Sequence, residues 1–259
     1  MAKKEKITVN SILSYKQAKK KIAMLTAYDY LMASILDASE IDIILVGDSL
    51  GNVMMGYKNT LPVTMMEMII HTQAVARGTN RALLVADMPF GSFQNNKEEA
   101  LSCAIDLIKA GAEAVKIEGA QYIDIIKKII KAGIPVMGHL GFTPQSVNIL
   151  GYKYQGKTKQ EEIKLLKEAK ALEKAGCFAV IIELVPDAVA KKIAKGLLIP
   201  VIGIGAGPNC DGQVLVCYDM LGMYPCSPGF VKKYADLDGI IRKAVKKYIE
   251  EIYSAPVAQ

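Results

Sequence analysis

Short apolar segments rich in β-branched residues recur along the chain, and most of them end in Gly, Asp or Pro. Their hydrophobicity is nearly continuous rather than alternating, which is typical of parallel strands that are covered on both faces. The eight predicted strands are residues 22–29, 42–48, 82–89, 114–119, 134–141, 178–186, 199–207 and 213–220.

Helical periodicity separates most of the predicted strands. Thr64 and Glu67 have the spacing of a capping box and predict a helix over residues 65–78. Three predicted helices end in Ala-Gly, where the glycine supplies the left-handed conformation of a C-cap. The other helices are predicted at residues 97–110, 121–132, 159–175, 187–195 and 236–253.

The order of these elements predicts a (β/α)8 barrel, also called a TIM barrel. Strands and helices alternate without a linker or a break in composition, and 259 residues is an ordinary length for one such barrel. We therefore expect a single domain over residues 1–259, with a short N-terminal extension and a C-terminal helix. The segment between the last two strands is too short for a normal helix, so a doubly wound open sheet is the alternative.

The amino-acid composition indicates which broad class of protein this chain belongs to. The chain is 51% hydrophobic and 22% charged, which describes a folded globular protein. No segment reaches the ~18 to 20 uncharged apolar residues of a membrane helix, so we expect no membrane partner. The basic N-terminus MAKKEKITVN lacks the apolar core of a signal peptide, which favours a cytoplasmic location.

The net charge of +6 is carried mainly by lysines at helical spacing, which is typical of a solvated helix face. Nucleic-acid binding proteins favour clustered arginine and aromatic platforms, and this chain has no Trp, so we expect no nucleic-acid partner. An odd number of cysteines without a CxxC pair favours reduced thiols over a zinc site or disulfides. The five are Cys103, Cys177, Cys210, Cys217 and Cys226.

Polar side chains collect at the carboxyl ends of the predicted strands, where barrel enzymes have their active sites. They are Asp29, Asp48, Ser49, Asp87, Lys116, Glu118, His139 and Glu183. Residues two apart in a strand share a face, so Lys116 and Glu118 point the same way, and Asp48 is expected to share a face with Ile44 and Val46. So many ionisable groups are costly to bury together without a ligand or a purpose.

Asp48 and Asp87 follow neighbouring strands and can approach the same point. Two carboxylates that close repel each other unless one is protonated or a cation lies between them. Mg²⁺ is often held by one or two carboxylates, which leaves positions for substrate and water. Helix N-capping or a salt bridge is the alternative role for either aspartate.

Glu183 lies among apolar residues, which favours a carboxyl group that acts as a general base or acid near neutral pH. A buried ion pair, for example with a lysine, is the alternative. His139 is either a hydrogen-bonded structural residue or a supporting group of the site. The glycines of IPVIGIGAG (199–207) can present N–H groups to an anion or can serve close packing at a tight turn.

Several ordered blocks of the chain match one family of enzymes. They include MLTAYDY (24–30), VGDSLGNVMMGY (46–57), VADMPFGSF (85–93), VKIEG (115–119), VMGHLGFTPQSVN (136–148), ELVP (183–186) and IGAGPNCDGQVLVCYDMLG (204–222). On these blocks, the chain resembles the ketopantoate hydroxymethyltransferases (3-methyl-2-oxobutanoate hydroxymethyltransferases) from about residue 7 to 250. One departure is Leu150-Gly151-Tyr152, where many relatives carry a Gly-Gly pair before Tyr.

The resemblance implies Mg²⁺ as cofactor, 3-methyl-2-oxobutanoate as substrate and 5,10-methylenetetrahydrofolate as co-substrate. It implies metal binding by Asp48 and Asp87, with Glu118 in the metal's surroundings. It further implies that Ser49 and Lys116 contact the 2-oxo acid beside the same two aspartates. Glu183 matches the family's proton acceptor, and the folate contacts are expected in loops 90–96 and 204–212.

The resemblance also implies a role in pantothenate and coenzyme A biosynthesis and a homo-oligomer, a decamer in bacteria. Two other readings remain at this point. One is a related barrel enzyme that cleaves or isomerises 2-oxo acids with Mg²⁺ and without folate. The other is a non-catalytic barrel that serves as a binding or assembly module.

Overall fold

The computed structural model describes residues 5–225 and 228–255, so Cys226 lies outside the described residues. The chain divides into two compact units, Met1–Val214 and Leu215–Gln259. One domain over residues 1–259 therefore stays a prediction. In the described residues, no helix is both long enough and apolar enough to span a membrane.

Eight parallel strands pair in chain order and close into a barrel, which confirms the predicted (β/α)8 fold and excludes the open sheet. The strands are β1 (Ile22–Thr26), β2 (Ile43–Val46), β3 (Leu83–Asp87), β4 (Ala114–Glu118), β5 (Val136–Gly141), β6 (Ala179–Glu183), β7 (Val201–Ile204) and β8 (Gly212–Leu215). Near the closure, the backbone N–H of Ile22 donates to the carbonyl of Asp211 at 3.0 Å.

Helices follow most of the strands. They are α1 (Val9–Gln17), α2 (Tyr30–Ala38), α3 (Leu50–Val53), α4 (Met65–Gly78), α5 (Lys97–Lys109), α6 (Ile123–Lys131), α7 (Val147–Leu150), α8 (Lys159–Ala175), α9 (Asp187–Gly196), α10 (Cys217–Leu221) and α11 (Leu237–Ser254). Two short 3-10 helices, Ala120–Tyr122 and Pro144–Ser146, precede α6 and α7.

Capping residues set the ends of the predicted helices. Thr64 and Glu67 form the predicted capping box of α4, in which each side chain accepts a hydrogen bond from the other residue's backbone. The predicted Ala-Gly ends are also confirmed, because Gly111, Gly133 and Gly176 have φ values of +111°, +91° and +100°.

The predicted strand over residues 213–220 is too long. β8 ends at Leu215, and residues 217–221 form α10, in which Cys217 and Asp219 are buried. A short apolar run does not by itself distinguish a strand from a buried helical segment. The predicted strand over 199–207 also ends early, at Ile204, because Gly205 and Gly207 turn the chain at positive φ.

Alternate residues of the strands fill the barrel interior, among them Ile43 and Leu45 of β2. Ile7 and Ile12, from the N-terminal extension and α1, belong to the same cluster of buried side chains. The backbone N–H of Ile7 also donates to the carbonyl of Arg81, just before β3. The extension therefore packs at the amino ends of the strands, which leaves the carboxyl ends for the polar residues.

Candidate active site

The predicted ionisable residues meet at the carboxyl ends of the strands. Strand register aligns Asp87 with Lys116 and Glu118 with His139. The side chains of Asp48, Asp87, Lys116, Glu118, His139 and Glu183 are all buried, and none of these residues is more than 8% exposed. Such a set is stable only if its charges are balanced by one another or by a bound ligand.

The position of Asp48 in this site is not the one that strand alternation predicts. Ile43 and Leu45 face the barrel interior, β2 ends at Val46, and Asp48 lies in the following turn. The expectation that Asp48 continues the face of Ile44 and Val46 is therefore wrong. The turn directs the backbone N–H of Asp48 to Asp87 Oδ2 at 3.0 Å.

Gly47 makes room for this turn. A Cβ atom at Gly47 would lie 2.8 Å from Ser49 Oγ and 3.6 Å from Asp87 Oδ2. Ser49 Oγ in turn lies 2.9 Å from the hydroxyl of Tyr28, a buried residue that follows β1. The turn thus brings Asp48 and Ser49 to the same side of the barrel mouth as Asp87.

Lys116 is the cation at the centre of the cluster. Its Nζ lies 3.3 Å from Asp87 Oδ1, 3.4 Å from Glu118 Oε1 and 3.2 Å from His139 Nδ1. Burial acts to lower the pKa of Lys116, but the charges of Asp87, Glu118 and Asp48 outweigh it and the pKa is raised. Lys116 is therefore an ammonium group at neutral pH.

The carboxylates outnumber the cations around them. Burial, followed by repulsion from Asp87 and Glu118, raises the pKa of Asp48 well above its ordinary value. Burial also raises the pKa of Asp87, although Lys116 opposes it. For Glu118, burial is outweighed by Lys116 and His139, and the pKa is lowered. The two aspartates are thus the carboxylates that lack sufficient compensating charge.

Glu183 faces His139, with 3.3 Å between Glu183 Oε2 and His139 Nε2. Burial and Lys116 act to lower the pKa of His139, but its contacts with Glu118 and Glu183 outweigh them and the pKa is raised. The partner of Glu183 is thus His139 rather than a lysine, so a buried ion pair, the alternative role of Glu183, would form with the imidazolium. His139 links the lysine cluster on one side of the site to Glu183 on the other.

The chain turns sharply after Glu183. Leu184 has a φ of +47°, which is unusual for a residue with a branched side chain. Two backbone hydrogen bonds hold it, since its N–H donates to Ile204 and its carbonyl accepts from Gln155. Strain of this kind is often found beside functional groups, because the surrounding structure must impose it.

Gly141 gives the backbone of Glu183 room on the neighbouring strand. The two residues are in register, and a Cβ at Gly141, whose φ is +91°, would collide with the carbonyl oxygen of Glu183.

We expect Gly141→Ala to lower the free energy of unfolding by about 3 kcal/mol or more, from the positive φ and the collision together. Gly133 has the same φ of +91° with open space around it, so Gly133→Ala isolates the φ contribution of about 1 to 2 kcal/mol. Urea denaturation of both variants measures the difference, and equal losses would contradict the collision.

Gln145 is a buried residue of the site that the sequence reasoning missed. Its Nε2 donates to Asp48 Oδ2 and to the carbonyl of Met88, each at 2.9 Å, and its backbone N–H donates to Glu118 Oε2 at 3.0 Å. The available signal was a polar residue, in the segment GFTPQS, directly after a strand that ends at the site.

Structural contacts hold three further residues, Asp29, Gly207 and His71. Asp29 caps α2 by accepting a hydrogen bond from the backbone N–H of Met32. Gly207 packs against the carboxylate of Asp187, which a Cβ would meet, and this favours close packing over anion binding in that turn. His71 of α4 lies 2.5 Å through Nδ1 from the carbonyl of Tyr28, in keeping with a structural role.

Within the described residues, no group of three or more His, Cys, Asp and Glu side chains is arranged to hold a metal ion by itself. Glu118 directs its oxygens toward Lys116, His139 and the N–H of Gln145. The expectation that Glu118 belongs to the metal site stays a prediction. Asp48 and Asp87 are joined by the hydrogen bond from the backbone N–H of Asp48.

A closed parallel barrel with acidic groups, a lysine and a histidine buried at the carboxyl ends of its strands has the architecture of a (β/α)8 enzyme. The model of the ketopantoate hydroxymethyltransferase family matches residues 6–256. The chain belongs to the ketopantoate hydroxymethyltransferase family. It is accordingly an enzyme of the one-carbon transferase type.

Relatives from several organisms are similar over nearly the whole chain. The 3-methyl-2-oxobutanoate hydroxymethyltransferase of Caldicellulosiruptor saccharolyticus is 55% identical over 250 residues, which is 95% of each chain. The enzyme of the same name from Carboxydothermus hydrogenoformans is 52% identical and covers 96% of this chain and 91% of its own. That of Ignicoccus hospitalis is 51% identical over 96% of each chain.

Solved structures share the fold at low sequence identity. A phosphonomutase-like protein of Burkholderia cenocepacia has a TM-score of 0.66 at 12% identity, covering 93% of this chain and 99% of its own. A phosphonopyruvate hydrolase, solved in complex with oxalate and Mg²⁺, has a TM-score of 0.64 at 13% identity, covering 97% and 92%. At these identities the likeness concerns the barrel fold alone.

Proposed function

We propose that the protein transfers a hydroxymethyl group from 5,10-methylenetetrahydrofolate to 3-methyl-2-oxobutanoate, giving ketopantoate and tetrahydrofolate. The observation that carries the proposal is the buried cluster of Asp48, Asp87 and Lys116, faced across His139 by Glu183. These side chains are of the kinds required to bind a 2-oxo acid and to remove its C3 proton.

The residues present fit a divalent cation. Asp48 and Asp87 offer hard carboxylate oxygens, and burial raises the pKa of both, with repulsion from Asp87 adding to the shift of Asp48. Asp48 and Asp87 would hold Mg²⁺, with Glu118 in its surroundings. When bound, the ion supplies Lewis-acid polarisation of the substrate's keto group.

Lys116 and Ser49 would hold the carboxylate of the 2-oxo acid. Lys116 keeps its positive charge inside the site, and a buried ammonium group is a strong partner for an anionic ligand. Ser49 offers a hydroxyl at the turn beside Asp48, and Tyr28 holds it in place. This anchoring orients C3 of the substrate toward the opposite side of the barrel mouth.

Glu183 would take the proton from C3, because it lies across His139 from Lys116, the proposed partner of the substrate carboxylate. His139 orients the Glu183 carboxylate through the 3.3 Å contact of its Nε2. The folate reacts as its ring-opened iminium form. The carbanion equivalent formed at C3 attacks the methylene carbon of this iminium. Water supplies the hydroxyl oxygen when the carbon–nitrogen bond to tetrahydrofolate is broken.

The family resemblance extends the proposal to pantothenate and coenzyme A biosynthesis, a cytoplasmic location and a homodecamer. The folate is expected near loops 90–96 and 204–212, of which the first carries the half-exposed Phe90. Light scattering tests the decamer, since its mass would be ten times the chain mass of 28.1 kDa. A monomer or dimer would contradict that part of the proposal.

Product analysis tests the proposed reaction. The protein is incubated with 3-methyl-2-oxobutanoate, Mg²⁺ and methylenetetrahydrofolate, and ketopantoate is detected by mass spectrometry. We expect product only in the complete mixture, and none when the folate or the divalent ion is omitted. Cleavage of the 2-oxo acid, or product formation independent of folate, would contradict the proposal.

Asp48→Asn is expected to raise the stability of the metal-free protein. Because the pKa of Asp48 is raised above 3.8 on folding, its charge destabilises the folded state at neutral pH, and this cost disappears in acid. We expect a gain of about 1 kcal/mol in metal-free buffer at pH 7 to 8. Added Mg²⁺ should raise the melting temperature of the wild type and not of the variant. A wild type that melts higher than the variant without metal would contradict this prediction.

A further inference from the structure

Gln145 connects three parts of the barrel mouth at the proposed metal site. Its side chain binds Asp48, in the turn after β2, and Met88, just after β3. Its backbone N–H binds Glu118 at the end of β4. Gln145 is only 6% exposed, so these hydrogen bonds are protected from water and each is costly to lose.

A second amide, Gln94, binds the first. Gln94 Nε2 donates to Gln145 Oε1 at 3.2 Å, and Gln94 Oε1 accepts from the backbone N–H of Gly91 at 2.7 Å. Gln94 belongs to the loop between β3 and α5, whereas Gln145 belongs to the loop after β5. The two amides therefore tie together the loops that follow β3 and β5, the two strands on either side of β4.

The backbone determines which way both amides point. The N–H of Gly91 can only donate, so the atom of Gln94 that faces it is the oxygen, and the nitrogen of Gln94 faces Gln145. The oxygen of Gln145 then faces Gln94, and its nitrogen faces Asp48. The carbonyl of Met88 can only accept, which requires the same orientation of Gln145 from the other end.

We propose that Gln145 is a positioning residue that holds the Asp48 carboxylate in its metal-binding orientation, and that Gln94 sets the orientation of the Gln145 amide. The inference rests on the proposed function, in which Asp48 is a metal ligand. Hydrogen-bond partners of metal ligands act in this way, and their loss typically weakens metal affinity by about 10- to 100-fold.

Mn²⁺ binding to the full-length protein without substrate tests the proposal, with free Mn²⁺ measured by its EPR signal. We expect Gln145→Met to raise the Kd for Mn²⁺ by about 10-fold or more, because the donor to Asp48 is lost. Gln155→Met is the matched control, since the Gln155 side chain donates to the carbonyl of Lys153 rather than to the site. The control should keep the wild-type Kd.

Gln94→Glu tests the relay from Gln94 to Gln145. The carboxylate of glutamate at this position can only accept hydrogen bonds. It therefore either repels Gln145 Oε1 or makes the Gln145 amide rotate, so that Gln145 Oε1 faces Asp48. We expect a Kd for Mn²⁺ raised about 10-fold even though the substitution adds negative charge, which by itself would favour a cation. In the double variant Gln94→Glu/Gln145→Met, the Kd should be no higher than that of Gln145→Met alone, since the effect of Gln94 on the amide is lost with Gln145 and only the added negative charge remains.

A purely structural role for Gln145 would lower the melting temperature and leave the Kd for Mn²⁺ unchanged, and that result would overturn the proposal. Enzyme activity gives a second readout. If Gln145→Met loses activity because its affinity for Mg²⁺ is lower, a high Mg²⁺ concentration should restore that activity. The variant Asp48→Asn distinguishes a failure of the proposed metal site from a failure of the positioning role of Gln145. A wild type that binds Mn²⁺ no better than Asp48→Asn overturns the proposed metal site, whereas Gln145→Met with wild-type affinity overturns only the positioning role.

Discussion

Glu183→Gln is expected to lower the rate of C3 proton exchange from 3-methyl-2-oxobutanoate into D₂O by about a thousandfold, the usual contribution of a general base. Glutamine has nearly the same shape and keeps an oxygen that can face His139 Nε2, which lies 3.3 Å from Glu183 in the native site. It cannot accept a proton from carbon. The KM for the 2-oxo acid should therefore change little while kcat for exchange falls.

NMR of the C3 proton measures this exchange directly and without folate. Glu168→Gln on α8 is the control, because Glu168 pairs with Lys164 outside the site. It should exchange at the wild-type rate. Exchange that continues unchanged in Glu183→Gln would show that another group takes the proton, and the mechanism would have to be reassigned.

Lys116→Met is expected to cause the largest loss of stability among changes at the site. It leaves Asp87, Glu118 and Asp48 without their central cation while keeping most of the side-chain volume. Removing one partner of a buried ionic network typically costs about 3 to 5 kcal/mol, because the remaining charges stay buried and uncompensated. Substrate binding should be lost as well, since Lys116 is the proposed partner of the substrate carboxylate.

Urea denaturation at pH 7.5 measures the cost, first without and then with Mg²⁺. A divalent ion that binds the aspartates should recover part of the lost stability, because it replaces positive charge in the same cluster. Lys167→Met on the exposed face of α8 is the control and should leave stability nearly unchanged. A Lys116→Met variant as stable as the wild type would show that the carboxylates are compensated in another way.

Residues inside the strands could be predicted from sequence because strand alternation determines where they point. Asp87, Lys116, Glu118 and Glu183 lie at the ends of β3, β4 and β6, within the strands themselves. The hydrophobic pattern that identifies a strand therefore also assigns its last side chains to the barrel mouth. His139 follows the same rule within β5.

Residues outside the strands are less predictable, because turn geometry and tertiary contacts determine their positions. Asp48 is part of the site as expected, but the turn at Gly47 brings it there rather than the face of a strand. Gln145 lies on a 3-10 helix, and its importance depends on contacts with residues 57 and 97 positions away in sequence. No local pattern in the sequence encodes such contacts.

NMR of 3-methyl-2-oxobutanoate with the wild-type protein in D₂O, before any folate is added, tests the proposed deprotonation most directly. We predict that the C3 proton is lost when Mg²⁺ is present and retained when the ion is chelated, and that ketopantoate forms once methylenetetrahydrofolate is added. Exchange without ketopantoate would indicate an enzyme for another reaction of 2-oxo acids. A C3 proton that persists with Mg²⁺ would contradict the central claim, that this barrel mouth holds a 2-oxo acid for deprotonation.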